Sequence, residues 1–288
     1  MQPRNHEVPL AVIGLGCRFP GAENLDEYWR LVRDGRSGIV PFPKERLDRE
    51  LYFDPEQGKI GRTYSQIGGI VPERPLNRDI CPLPNKLLES SDSSHLIMCE
   101  VAAMACRHAG YDPFHLPQRN VGVYIGHSGG SCLSGEIAAS TYVEEVAQYL
   151  RDDASFQALA PEMQLASIKG IIDRCHNDKP KRSADGGPEL AACQVSGLIS
   201  EAFGLQGPYL AVDAACASSL IAMAIGAHAL RQGLIDMAIV GGASYSKWYG
   251  LVLFSMAQSI RFIAPNTFVL MHSNGLYSAD GTIFSAAA

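Results

Sequence analysis

Apolar and polar positions divide the chain into a succession of short elements. Residues 9–13 (PLAVI) form an apolar run closed by a glycine loop, which predicts a short buried strand. The stretch LDEYWRLVRDG that follows carries apolar residues at helical spacing. Asn24 stands where an N-cap belongs, and Gly35 where the helix should stop. Residues 36–85 are rich in Pro, Gly and Arg and hold no sustained period, so they predict a long irregular excursion with a short hairpin near 63–71. Residues 86–110 read as one helix ending on Gly110. Residues 121–126 read as a buried strand, and 136–150 and 155–175 as helices. The polar, turn-rich segment 175–189 reads as a surface loop, too short to separate domains.

The clearest unit comes next. Residues 191–203 predict a helix, 204–208 a turn and 209–213 a strand. A helix over 216–232 ends at Gly233, and a second strand over 236–240 runs into GGAS. Strand, helix, strand at this spacing predicts a parallel pairing with a right-handed crossover, and hence an α/β fold. No short internal repeat is visible.

Composition narrows the function classes. Hydrophobic residues make up 47% of the 288 and charged residues 19%, enough apolar material for one large domain or two modest ones. The net charge of −6 and the lack of a basic patch argue against a nucleic-acid partner. The opening PLAVIGLGC has some features of a secretory segment ahead of a lipidated cysteine. It is short, holds two glycines and has only Arg4 upstream as a charged side chain, apart from Glu7, so the strand-and-turn reading is preferred. No apolar stretch reaches the roughly 18–20 residues of a membrane span, which leaves no membrane partner.

Eight cysteines, at positions 17, 81, 99, 106, 132, 175, 193 and 216, include no C-x-x-C pair, so no metal site is expected. Buried free thiols in a reducing cytoplasm are expected rather than a disulfide framework.

Cys216 stands apart. In VDAACASSL it lies at the junction of a strand and a helix, among Ala214, Ala215, Ala217, Ser218 and Ser219. A helix N-terminus offers backbone N–H groups and the positive end of the macrodipole, which favour thiolate. The same groups can donate to an oxyanion at a thioester carbonyl. Small neighbours leave room for a bulky acyl group. A buried structural cysteine is the alternative on local pattern alone.

VDAACASSL resembles the active-site signature of β-ketoacyl synthase (ketosynthase) domains of type I polyketide and fatty-acid synthases. PLAVIGLGCRFPGAENLDEYWRLVRDGRSGI is similar to the opening of such a domain. GLQGPYLAVDAACASSL extends the signature upstream, and ALRQGLIDMAIVGGAS follows in order. The resemblance covers residues 9–40 and 190–244, and more loosely 86–126. It implies a thiolase-like fold of layered αβαβα type, of which residues 1–288 supply the first half, with 127–189 partly an insertion and 261–288 atypical. It implies that Cys216 carries an acyl chain taken from a phosphopantetheine thiol. A decarboxylative Claisen condensation with a malonyl group on an acyl carrier protein then follows. No directly bound cofactor is implied. The implied partners are the carrier protein, a second copy of the chain in a homodimer, and downstream synthase domains.

The pattern also departs from the family. The resemblance implies two histidines in HGT-type and NxGH-type motifs, farther past the cysteine than residue 288, and neither motif occurs here. His228 and His272 match no family motif. The stretch after LFSMAQSI departs from the expected FDxxADG region, so the chain is expected to be a truncated half that accepts an acyl group without condensing it. A non-catalytic ketosynthase-like partner or a gene fragment remains an alternative. So does a serine hydrolase: GHSGG at 126–130 fits a nucleophile elbow with Ser128, an acid at Asp213 or Asp236, and His272 in the right chain order.

Overall fold

The computed structural model of the chain describes residues 9–72, 74–117, 120–127, 132–177, 193–243, 250, 252, 275–277 and 283–285. In chain order the first elements are α1 (Leu25–Arg33), β1 (Ile39–Pro41), α2 (Arg49–Tyr52), β2 (Ile67–Gly69), α3 (Asn85–Ser90), α4 (Ser93–His108) and β3 (Val121–His127). Then come α5 (Cys132–Thr141), α6 (Val143–Asp152), α7 (Ala154–Gln157), α8 (Pro161–Asn177), α9 (Gln194–Ala202), β4 (Tyr209–Val212), α10 (Ser218–Arg231) and β5 (Met237–Ala243). Two short strands, β6 (Gly275–Tyr277) and β7 (Ile283–Ser285), pair antiparallel.

The central sheet has the order β4-β3-β5 and is parallel throughout, with Val123 opposite Tyr209 and Val121 opposite Met237. The predicted strand-helix-strand unit is present as β4-α10-β5, but its two strands do not touch. β3 lies between them, because its side chains are apolar on both faces and it is buried along its whole length. Alternation sorts those faces. Val121, Val123 and Ile125 meet α4 and α9 in one core, while Tyr124 meets Ala222 and Ala229 of α10 in another. The result is three layers, helix on sheet on helix. Each fully buried aliphatic side chain in them contributes about 1.5–3 kcal/mol.

Helix ends follow the sequence signals. The Asn24 side chain accepts from the Glu27 N–H at 3.0 Å, and Gly35, at φ 61°, follows the last turn of α1. The helix predicted over 86–110 is instead two. Asp92 interrupts it and caps α4 by accepting from the Ser94 N–H at 2.8 Å.

Three further expectations change. Residues 9–13 form no strand in the described structure, and Val12 and Ile13 are exposed. The hairpin near 63–71 is replaced by a longer-range pairing, β2 with β1, in which Ile39 lies opposite Gly69. The helices expected over 136–150 and 155–175 are four shorter ones, α5 to α8. The surface loop expected over 175–189 lies almost wholly outside the described residues.

The irregular excursion is fastened by charge. Glu100 of α4, fully buried, accepts from both terminal nitrogens of Arg74, at 3.2 and 2.6 Å, and from the Asn77 N–H at 3.1 Å. Arg74 and the buried Arg18 both bond Glu23. Burial pushes the Glu23 carboxyl up, and the two guanidinium groups more than reverse it, so the carboxyl sits below its usual value.

Candidate active site

β4 delivers the chain to its carboxyl end at Val212, and α10 begins at Ser218. Between them Ala215–Ala217 make one turn of 3-10 helix with Cys216 at its centre. The α-helix therefore starts two residues later than the sequence pattern suggests. Ala215 has φ 50°, left-handed backbone on a residue with a Cβ, a conformation that costs about 1–2 kcal/mol.

Local bonds hold that turn. The Asp213 carboxylate accepts from the Ala215 N–H at 3.1 Å. The Ser218 hydroxyl, almost fully buried, accepts from the Ala214 N–H at 2.9 Å and donates to the Ala215 carbonyl at 2.7 Å. Beneath it, Gly126, one residue before the end of β3, lies against the helix start. A Cβ there would fall 2.4 Å from the Ser219 nitrogen and 2.5 Å from the Ser218 carbonyl carbon. Gly126, the first glycine of GHSGG, therefore serves a backbone approach that only glycine allows.

The turn presents Cys216 outward. Among the described cysteines only Cys193 and Cys216 are exposed; Cys17, Cys81, Cys99 and Cys106 are buried. Burial pushes the Cys17 and Cys106 thiols up to about 11, with the Glu27 charge adding to the effect at Cys17. The positive end of the α10 dipole lies at the turn that carries Cys216. An exposed thiol there is placed to attack a thioester carbonyl.

The other sequence candidates do not gather at this turn. His228 is exposed in the last turn of α10, about 18 Å along the axis from Cys216 at ~1.5 Å per residue. Asp236 precedes β5, and its N–H donates to the Asn120 carbonyl at the amino end of β3. That is the opposite end of β3 from Gly126 and the Cys216 turn. Asp213 is engaged in the Cys216 turn. Ser128 and His272 lie outside the described residues. An apolar cavity of about 550 Å³ runs between Leu15, Ile97, Met98, Leu220, Met223 and Ile239. Cys216 does not line it, so the cavity is not assigned to the acyl chain.

Sequence reasoning missed two buried clusters near the sheet. His127, at the end of β3, donates from Nδ1 to the Ala243 carbonyl at 2.9 Å. Its ring meets that of His95 edge-on at 5.8 Å. Both His95 nitrogens and the His127 Nε2 are buried without a hydrogen-bond partner. The second cluster is the Cys81–Cys99 contact at 3.6 Å. Neither pair is close in sequence, and no local spacing announces them.

A layered α/β core with an exposed cysteine on a constrained turn, at the head of the helix joining two parallel strands, is the arrangement of the thiolase-like class. The chain belongs to the β-ketoacyl synthase family: the profile of the Beta-ketoacyl synthase, N-terminal domain, matches residues 7–283. The chain is 32% identical over 240 residues to the phenolphthiocerol synthesis polyketide synthase type I Pks15/1 of Mycobacterium marinum, covering 82% of this chain and 9% of that protein. It is 30% identical over 288 residues to polyketide synthase GfsB of Streptomyces halstedii, covering 97% of this chain and 4% of that protein. The chain thus spans less than a tenth of either relative.

Solved ketosynthase structures share the fold. The oxazolomycin ketosynthase domain OzmH KS7 of Streptomyces albus superposes with a TM-score of 0.61 at 21% identity, over 88% of this chain and 37% of that one. The PfaC keto synthase-chain length factor gives a TM-score of 0.63 at 21% identity, over 87% of this chain and 26% of that one. Among the described residues no helix is long and apolar enough to cross a membrane.

Proposed function

We propose that Cys216 is the acyl-carrying nucleophile of a polyketide-type β-ketoacyl synthase. The observation that carries this reading is the turn at Ala215, held in left-handed backbone by Asp213 and Ser218 so that an exposed thiol projects from the head of α10. The Cys216 thiolate attacks the carbonyl carbon of an acyl thioester. The tetrahedral oxyanion collapses, the carbon–sulfur bond to the donor breaks, and the pantetheine thiolate leaves and takes up a proton. Ser218 and Asp213 fix the turn that carries the thiol.

In the whole protein the acyl-Cys216 is the electrophile for a decarboxylating malonyl group carried on an acyl carrier protein. The partners of this reading are that carrier protein, neighbouring synthase domains and a second copy of the chain. β4 is an edge strand of the described sheet with Tyr209 and Leu210 exposed, a surface suited to pairing with that second copy. A cytoplasmic setting goes with the free thiols.

Incubation with an acyl-pantetheine thioester, followed by intact mass analysis, tests the reading. One acyl increment is expected on the native chain and none on Cys216→Ala. An increment that survives in Cys216→Ala overturns it.

A further inference from the structure

The Cys81–Cys99 contact belongs to no part of the acyl-transfer site. Cys81 lies in the segment 77–84 that ends the irregular excursion, and Cys99 lies on α4. Both are fully buried, and their sulfurs are 3.6 Å apart. Two thiols in van der Waals contact, one on a rigid helix and one on a surface segment, have the arrangement that a dithiol–disulfide couple needs.

We propose that Cys81 and Cys99 form a peroxide-sensitive dithiol that closes to an intramolecular disulfide, with Cys81 the attacking thiol and Cys99 the resolving one. The roles follow from the surroundings. When Cys81 ionises, Cys99 donates to it, and this holds the Cys81 thiol below its usual value despite burial. The same bond, followed by burial, holds Cys99 well above the usual range. Cys81 is also the more approachable of the two. Its neighbours Pro82 and Pro84 are exposed, and its segment is a short turn in which the Cys81 N–H donates to the Asn77 carbonyl. Local opening of that turn admits a small neutral oxidant without unfolding α4.

The chemistry balances with hydrogen peroxide as the oxidant. The Cys81 thiolate attacks one peroxide oxygen and the O–O bond breaks. The products are a sulfenic acid and hydroxide, which takes up a proton to become water. The Cys99 thiol then attacks the Cys81 sulfur, the S–O bond breaks, and the departing hydroxide leaves as water with the Cys99 proton. Two thiols lose two electrons and one peroxide becomes two waters. The new bond ties the end of the excursion to the helix whose Glu100 already anchors Arg74.

The test is made on the folded native chain. It is treated with equimolar hydrogen peroxide, its remaining thiols are alkylated, and it is digested and mapped. The expected product is a peptide pair joined through Cys81 and Cys99, two hydrogens lighter than the thiols. Dithiothreitol should restore both, and the melting temperature should rise on oxidation and fall back on reduction. In Cys81→Ala, Cys99 should be recovered as an alkylated thiol. In Cys216→Ala the link should form unchanged, which keeps this inference separate from the acyl-transfer reading. Recovery of both thiols from the oxidised native chain overturns the proposal. So does a link from Cys99 to Cys106, or irreversible oxidation of Cys81 without a link.

Discussion

Acidification should destabilise this fold through His95 in particular. The ring is fully buried at the start of α4, and neither nitrogen has a hydrogen-bond partner. Burial lowers its pKa from 6.5 to about 4, the Asp92 carboxylate opposes that shift, and the His127 ring adds to it. In the unfolded chain the same imidazole titrates near its ordinary value. Between pH 6.5 and 4 the unfolded chain therefore binds a proton that the folded chain refuses, and stability falls as pH falls through that window. Above pH 6.5 both states are neutral and the contribution is complete. The two values give about 2 kcal/mol lost between pH 7 and pH 4.5.

The assay is urea unfolding at both pH values, on the native chain and on His95→Leu. The variant keeps similar volume and removes the titration. Its loss between the two pH values should be smaller than the native loss by about 2 kcal/mol, because carboxylates elsewhere act equally on both chains. Equal losses in the two chains would refute the reasoning. So would a native chain that gains stability on acidification.

Three substitutions probe other contacts. Gly126→Ala places a Cβ 2.4 Å from the Ser219 nitrogen and should cost about 3 kcal/mol by overpacking, read from the denaturation midpoint, while shifting the alkylation rate of Cys216. Ser218→Ala removes two of the three side-chain bonds that brace the turn and leaves the one to Asp213. It should cost about 1–2 kcal/mol and slow Cys216 alkylation severalfold while leaving Cys193 alkylation unchanged. Arg74→Ala leaves the buried Glu100 carboxylate with only the Asn77 N–H among these partners. It should cost about 2–3 kcal/mol by urea unfolding, below the fully buried figure because Arg74 is partly exposed.

The candidate site was legible because its parts are contiguous. The Gly-Pro turn, the apolar strand, the small residues around Cys216 and the helix to Gly233 lie within one stretch, and each local preference agrees with the next. The strained φ at Ala215 was not legible, since alanine gives no sign of a left-handed turn that Asp213 and Ser218 impose. Strand order was not legible either. The pattern marks β3, β4 and β5 as apolar, but pairing is decided by which strand can be buried on both faces. Residues 9–13 show the converse, an apolar run whose composition promised a strand that pairs with nothing in the described structure. The break at Asp92 was readable in hindsight, because an aspartate before two serines is an N-cap signal that the longer apolar period overrode. The His95–His127 and Cys81–Cys99 contacts come from packing between distant elements, which no local spacing encodes.

The central claim is that the Cys216 turn takes up an acyl group, and a protection experiment tests it most directly. The chain is first incubated with an acyl-pantetheine thioester, then treated with limiting iodoacetamide and mapped. Without the thioester, Cys216 should be the first thiol labelled. After loading, label at Cys216 should disappear, while the exposed Cys193 is labelled to the same extent in both samples. Undiminished labelling of Cys216 after incubation, or loss of label at Cys193 instead, would contradict the account.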